Sequence, residues 1–502
     1  MVTPRPLVDT SDIWARLEEF DNSFKRLLTI AAEKFGADGD ASDAALDDSM
    51  LACPAYESNY SGAADSSGTR VMESAEMGRV LVTARSFGCR DLILRELPAL
   101  VLHQSVLSSV SKLQKAAAQL PSCVDLTGYE NHMKDVPVQV SQRFEGNPDV
   151  IGLYMVFRIN GMQWGDQYIA VCEEASKAAH SCAPNAIFGR CEAEDETHAE
   201  GNPDAEAESK DSVQAHLEVR AARPLEANEQ VSLDYLDDPD DLLCPASVRR
   251  RILHSQRFFV CHCWRCLEAE GARGDVCRGF PCSCGHVLRP RSCAAEALPL
   301  DDDMRQACRF ELPACEATAF SCSSCGRQGV DLHLLELEKE ISAKLGEVLE
   351  TMGASSASNL MLTVQVNEHD ADFDIFTVIQ RLYTQARALA PHHWLSCRTS
   401  LLSWQALLVQ ALLHGGDIED CSLLAECVDF VEACCPLLIP TVVGRWVAEA
   451  AAHLFELEPW KALVVYPVYQ KICGVQGVYF DPSEPWHSYF LHQGSIDLQE
   501  LD

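Results

Sequence analysis

The spacing of apolar residues changes twice along this chain, and each change marks a different kind of structure. Over residues 9–35, Ile13, Leu17, Phe20, Phe24, Leu27 and Leu28 recur at helical intervals behind Asp9, Thr10 and Ser11. This predicts a capped amphipathic helix. The stretches 38–48 and 61–68 are acidic or Ser/Gly-rich and read as linker. From Arg70 the runs become short and β-like. Strands are expected at 79–83, 91–94, 151–159, 168–171, 186–188, 216–221 and 230–233, and 257–260 is strand-like. Residues 99–119, apolar and Ser-rich, are expected to be helical, whereas 192–212 is acidic without periodicity, the pattern of a solvated loop. From Asp331 the period turns helical again, with Leu334, Leu337, Ile341, Leu345 and Val348 on one face. The run 404–413 ends at Gly415-Gly416, and Asp417 is placed to cap a helix over 422–434. Helices joined by short turns predict a helical-hairpin array, without a strict repeat period.

Composition narrows the class. Of 502 residues, 47% are hydrophobic and 23% charged, the balance of a globular chain with room for several domains. The charge is one-sided: 40 Lys and Arg against 75 Asp and Glu give a formal net of −35. Such a surface repels nucleic acid and anionic lipid and attracts basic peptide. A basic protein or peptide substrate is therefore expected, and direct binding to nucleic acid or membrane is not. Met1-Val2-Thr3-Pro4-Arg5-Pro6 runs into polar sequence, unlike a signal peptide. The apolar patches at 434–443 and 463–469 are broken by proline and too short to cross a bilayer. The expectation is a soluble, unsecreted monomer of the cytoplasm or nucleus.

Twenty-four cysteines would suit a secreted disulfide scaffold only in a much smaller chain. Here they cluster as CxC and CxxC, which reads as thiolate metal sites in a reducing compartment. Cys261-His262-Cys263-Trp264-Arg265-Cys266 offers three thiolates, one short of the four that tetrahedral zinc prefers. Cys182 is a candidate for the fourth and His262 a rival. Cys282-Ser283-Cys284-Gly285 and Cys322-Ser323-Ser324-Cys325-Gly326 form two hooks closed by glycine. Positive φ at such a glycine lets backbone amides face the sulfurs, the pattern of a zinc ribbon. His286, Cys293, Cys308 and Cys315 are alternative ligands.

Three motifs in order add an activity. Ala179-His180-Ser181-Cys182-Ala183-Pro184-Asn185 precedes Asp234-Tyr235, and the cysteines of 261–266 follow. Together they resemble the core of a SET domain, the fold of many protein-lysine methyltransferases. Within that family the likeness is to the SET-and-MYND group, over roughly residues 70–490 and most strongly at 176–266. Glu76-Met77-Gly78-Arg79-Val80, followed by 92–98, is similar to the family's opening strands, whose glycine turn touches S-adenosylmethionine. Asn160-Gly161 resembles the Asn-Ala/Gly pair before the central motif. The segment 225–235 resembles the one that usually reads Gly-Glu-Glu before a strand ending in Tyr, and 249–266 the Arg-rich helix leading to Phe-x-Cys-x-Cys. His392-His393-Trp394 is similar to the His-Pro-x-x-Trp neighbourhood of that group's helical domain. The resemblance implies S-adenosylmethionine bound by Gly78, Arg79, Asn160, Ala179, His180, Tyr235 and Phe259, with Tyr235 and Phe259 in catalysis. It also implies one zinc ion on Cys182, Cys261, Cys263 and Cys266, and a second, ribbon-type ion falls to Cys282, Cys284, Cys322 and Cys325.

Four positions depart from the family. Residues 99–150 contain only Cys123, so the cysteine-rich MYND finger is missing there. The second glycine of the Gly-x-Gly turn is Val80, and Gly-Glu-Glu reads Asn228-Glu229-Gln230. Ala179 stands where an Asn usually precedes His-Ser-Cys, which removes an amide expected on the cofactor, a loss of about 1–3 kcal/mol.

The chemistry explains what such residues are for. Methyl transfer needs a neutral amine, yet lysine has a pKa of about 10.4, so neutrality at pH 7 costs about 4–5 kcal/mol. An apolar aromatic channel disfavours the ammonium, and a fixed hydroxyl orients the lone pair. Tyr235 matches that hydroxyl and Phe259 the lining; ring faces also favour a sulfonium. His180 is expected to be structural, with its backbone near the cofactor.

The expected fold is α+β. An N-terminal helix and acidic linker occupy 1–69, and a β-rich SET domain occupies 70–236, with a helical insert at about 99–150 and an acidic loop at 192–212. A post-SET zinc segment (237–270), a zinc-ribbon-like segment (276–330) and an all-α, TPR-like helical-hairpin domain (331–490) follow. The expected activity is S-adenosylmethionine-dependent lysine N-methylation of a basic protein, histone or not. The alternative is a SET protein without turnover, acting as a zinc-stabilised protein-binding scaffold.

Overall fold

The structure is a computed structural model that describes residues 51–52, 68–74, 78–119, 138–164, 168–191, 215–271, 274–290, 312, 317–352, 375–389, 391–414, 417–418, 421–473, 475 and 484–491. The expected helix at 9–35, the linkers at 38–48 and 61–67 and the acidic loop at 192–212 lie outside these residues.

Several small sheets carry the first half of the chain. Thr69–Ser74 (β2) and Gly78–Thr83 (β3) form a hairpin. Leu92–Glu96 (β4) and Ala186–Cys191 (β9) flank His216–Ala221 (β10), both antiparallel to it. Leu51–Ala52 (β1), Leu100–His103 (β5), Tyr168–Val171 (β7) and Met162–Trp164 (β6) form a second sheet in that order. Ala179–His180 (β8) runs parallel to Ser232–Leu233 (β11). Leu81, Ile93, Leu217, Val219, Val231 and Leu233 meet as a dry core between these sheets.

Two expectations fail around the insert. The segment expected as a strand at 151–159 is the helix Pro148–Asn160, preceded by the helices Gln104–Ser108 (α1), Val110–Ala118 (α2) and Val138–Arg143 (α3) and labelled α4. Asn147 caps it by accepting from the amides of Asp149 and Val150, and Pro148 fits the first turn. Val150, Ile151, Leu153, Tyr154, Met155, Val156 and Phe157 are all buried. A helix buried on every side shows no apolar stripe, so its sequence imitates a β run. Conversely, the expected helix at 99–119 begins as β5, because Leu100–His103 fills the place between β1 and β7.

Past Tyr235 come the helices Ala246–Arg257 (α5) and Trp264–Glu270 (α6). A three-stranded antiparallel sheet follows: Phe280–Pro281 (β12), Val287–Pro290 (β13) and Phe320–Cys322 (β14). The remainder is helical: Leu332–Met352 (α7), Ile375–Ala386 (α8), Trp394–His414 (α9), Ser422–Cys434 (α10), Gly444–Leu457 (α11) and Tyr466–Cys473 (α12). Asp417 does not cap α10. Cys421 is its N-cap and makes no side-chain cap bond, while Asp417 pairs with Lys461 at 3.3 Å. None of the described helices is long and apolar enough to cross a membrane.

Buried ion pairs fasten the two halves together. Arg398 of α9 lies 3.2, 3.3 and 3.5 Å from Asp238, Asp240 and Asp241, just after Tyr235. The Trp446 indole N–H donates to Asp240 at 2.8 Å, and Arg445 bonds the same carboxylate. Arg278 holds Glu338 through two bonds of 2.7 Å, and His393 donates to Glu338 at 3.0 Å. Such charges are tolerated out of water only because each has its partners.

Candidate active site and metal centres

Three elements deliver the first cysteine set: the turn after β8, the loop after α5 and the first turn of α6. The Cys182 sulfur is 3.9 Å from that of Cys261 and 3.6 Å from that of Cys266, and with Cys263 all four lie within 4.8 Å of one another. A tetrahedral zinc with bonds of about 2.3 Å separates its sulfurs by about 3.8 Å. The donor set fits zinc; His262 is not part of it. Four thiolates on a dication leave a double negative charge, and two buried arginines answer it. Arg249 donates to the Cys266 sulfur at 3.5 Å, and Arg265 donates to the Cys182 carbonyl at 2.8 Å. Hydrogen bonds from Cys261 and Cys263, with Arg249 assisting, hold Cys182 well below the usual thiol range. That is the condition of a metal ligand.

The second set comes from the β12–β13 turn and the end of β14. Sulfur separations are 3.5 Å for Cys282–Cys284, 3.6 Å for Cys282–Cys325 and 3.6 Å for Cys284–Cys322. Gly285 and Gly326 take φ of +85° and +73°, as the hook pattern requires. The backbone amides of Cys325 and Ser324 face the Cys322 sulfur and pull its thiol down to about 6, against burial. His286 turns a backbone amide toward Cys284 and stands outside the cluster. Cys293, Cys308 and Cys315 lie outside the described residues.

His180 links the first cluster to Tyr235. The Tyr235 amide donates to His180 Nδ1 at 3.0 Å, which leaves the proton on Nε2, 3.4 Å from the Cys182 sulfur. Tyr235 and Phe259 both lie beside the imidazole, with ring centroids 5.7 and 5.8 Å away. The Tyr235 hydroxyl donates to the Ala178 carbonyl. Burial pushes this phenol up to about 12, against the nearby Arg257 cation, so it stays protonated at neutral pH.

The residues at 257–260 are not a strand. Arg257 ends α5, and Phe258 caps it in a left-handed conformation, φ +61°, its amide donating to His254. A non-glycine residue pays about 1–3 kcal/mol for that conformation. The apolar run reads as β by propensity, but the reversal turns Arg257 toward Tyr235 while Phe259 reaches His180. Sequence reasoning gave Arg257 no role; its place at the end of an Arg-rich helix was the only signal. Arg257 donates to the carbonyls of Tyr235 (3.0 Å), Arg158 (3.1 Å) and Gly161 (2.9 Å), pairs with Asp237 at 3.0 Å, and lies 5.9 Å from the Tyr235 ring centroid. Gly161 is required here: a Cβ would stand 2.3 Å from the Phe157 carbonyl oxygen and 2.4 Å from an Ile169 methyl.

The residues assigned to the cofactor are only partly brought together. The Val231 amide donates to Leu81 of β3 and the Ala179 amide to Val231, so β3 and β8 lie on either side of this segment. Gly78, at φ +71°, opens β3 with no described atom within 4 Å of where a Cβ would stand. Burial, then the neighbouring Arg79 cation, lowers Lys177 to about 8. Asn160 is buried and donates to the Val156 carbonyl within α4, and the next residue, Gly161, is linked to Tyr235 through Arg257. Two departures find local reasons. Val80 is a buried strand residue, and Asn228 takes φ +71°, a conformation that asparagine tolerates in place of glycine.

No protein-family model matches the chain. No curated protein matches it either. Among solved structures the chain is similar to the SET domain of LSMT bound to lysine and AdoHcy, at 12% identity and a TM-score of 0.22, over 82% of this chain and 93% of that one. At that score the likeness assigns no role to any residue here.

Proposed function

We propose that this chain is an S-adenosylmethionine-dependent protein-lysine N-methyltransferase of the SET type, acting on a basic protein. One observation carries the reading: Cys261, Cys263 and Cys266 close on Cys182, and the same fold-back brings the Tyr235 and Phe259 rings to 5.7 and 5.8 Å from the His180 ring. When bound, S-adenosylmethionine supplies a methyl group on its sulfonium. The space over Gly78 among the described residues, the half-buried Ala179 and the Arg79–Lys177 cations suit a ligand that carries a carboxylate. Tyr235 offers a protonated hydroxyl of fixed direction, and Phe259 an apolar wall. Burial around Tyr235 disfavours a charged amine, which favours a lysine in its neutral form.

A second reading, a zinc-stabilised scaffold without turnover, draws on Ala179 and on the Asn160 amide being committed to its own helix. Titration calorimetry of the full chain with S-adenosylmethionine decides between them. Methyl transfer requires measurable heat by high-micromolar cofactor, with Ala179→Asn tightening the binding by about tenfold. No heat at that concentration leaves only the scaffold.

A further inference from the structure

A second reactive arrangement lies away from Tyr235, where α6 meets the C-terminal helices. Cys277, in the turn before β12, and Cys435, just past α10, are 158 residues apart in sequence, yet their sulfurs are 3.5 Å apart. Both are buried, Cys435 retaining 5% exposure. Among the described residues, neither belongs to a cluster that could hold a metal. Arg265 reaches between them, 2.7 Å from the Cys435 sulfur and 3.3 Å from that of Cys277. The guanidinium sits where a metal ion would have to go, and it favours a thiolate. Cys434 is turned aside and donates to the Val276 carbonyl at 3.2 Å. The hydrogen bond from Cys277, aided by Arg265, holds Cys435 below the usual thiol range, while the same bond and burial push Cys277 up. The pair is a thiolate and its thiol donor.

We propose that Cys277 and Cys435 form a redox modification site, in which a small peroxide joins them in a disulfide that staples the zinc-bearing segment to the helical domain. The Cys435 thiolate attacks a peroxide oxygen; the O–O bond breaks, hydroxide leaves and a sulfenic acid forms. The Cys277 sulfur then attacks the sulfenic sulfur, an S–S bond replaces the S–O bond, and water leaves with the Cys277 proton. The sulfurs must close to about 2 Å, a movement small enough for two loop cysteines. Cys435 is 5% exposed and Cys277 fully buried, so the oxidant of the proposal is a small peroxide rather than a bulky disulfide. The site does not depend on methyl transfer.

The test uses the full-length, zinc-loaded protein treated with hydrogen peroxide, followed by peptide mapping and measurement of released zinc. The expected product is a Cys277–Cys435 cross-linked peptide that dithiothreitol reverses, with both thiols lost and zinc retained. Cys435→Ser should abolish that peptide and Cys434→Ser should leave it. Absence of the cross-link in the unsubstituted protein overturns the proposal. So does a Cys434–Cys435 product, or oxidation confined to the zinc cysteines with release of metal.

Discussion

Tyr235 is fixed at both ends, its amide on His180 and its hydroxyl on Ala178. Burial pushes its phenol up to about 12, so in the proposed reaction it would serve as an oriented hydroxyl rather than a phenolate. Tyr235→Phe should lower methyl transfer by about a hundredfold, measured as labelled methyl incorporation. Zinc content should not change, because the His180–Cys182 contact does not involve the hydroxyl. The pH profile should rise with loss of the substrate amine proton and show no tyrosine limb below pH 11 or so. Turnover equal to that of the parent would remove Tyr235 from the chemistry. The position of Tyr235 was legible because a motif names it; Arg257 was not, because its role comes from three carbonyls supplied by α4, β11 and their flanks.

At the scale of elements, hooks and helices differ in how openly the sequence declares them. A Cys-x-Cys-Gly hook is local, since glycine geometry and amide-to-sulfur bonds are settled within a few residues. The hooks were therefore readable, while the pairing of Cys182 with 261–266 and of the 282/284 hook with the 322/325 hook spans a distance. Metal analysis should find two zinc ions per chain. Cys284→Ser should reduce that to one, with S-adenosylmethionine binding retained, because the ribbon cysteines are separate from the Cys182 cluster. Two ions in the variant would exclude Cys284 as a ligand. The helix α4 was misread because burial on all sides erases the 3.6-residue stripe, and only Asn147-Pro148 signalled its start.

Across the whole molecule, buried charge joins the cysteine-hook segment to the helices. Glu338 is 1% exposed. Burial alone would raise it, but Arg278 and then His393 hold it down at about 2 from 4.5. A depressed carboxylate stabilises the fold above its unfolded pKa, and that contribution is lost as pH falls from about 4.5 towards 2. The shift corresponds to about 3 kcal/mol at neutral pH. Glu338→Gln should therefore unfold at lower urea concentration at pH 7, by about that free energy. The gap to the parent should narrow as the solution is acidified through this window. A gap independent of pH would show that charge is not what Glu338 contributes.

Taken alone, the sequence determined what depends on near neighbours: most strands of the first half, the all-helical C-terminal part, both cysteine hooks and the order of the candidate motifs. Tertiary structure decided everything that needs contact across the chain. It made 148–160 a helix, turned 257–260 into a left-handed cap, placed Arg257 against Tyr235 and brought Cys277 to Cys435. The physical reason is range. Turn geometry and period are set by bonds a few residues long, whereas burial on all sides, compensated charge and thiol pairing exist only once distant segments have closed on one another.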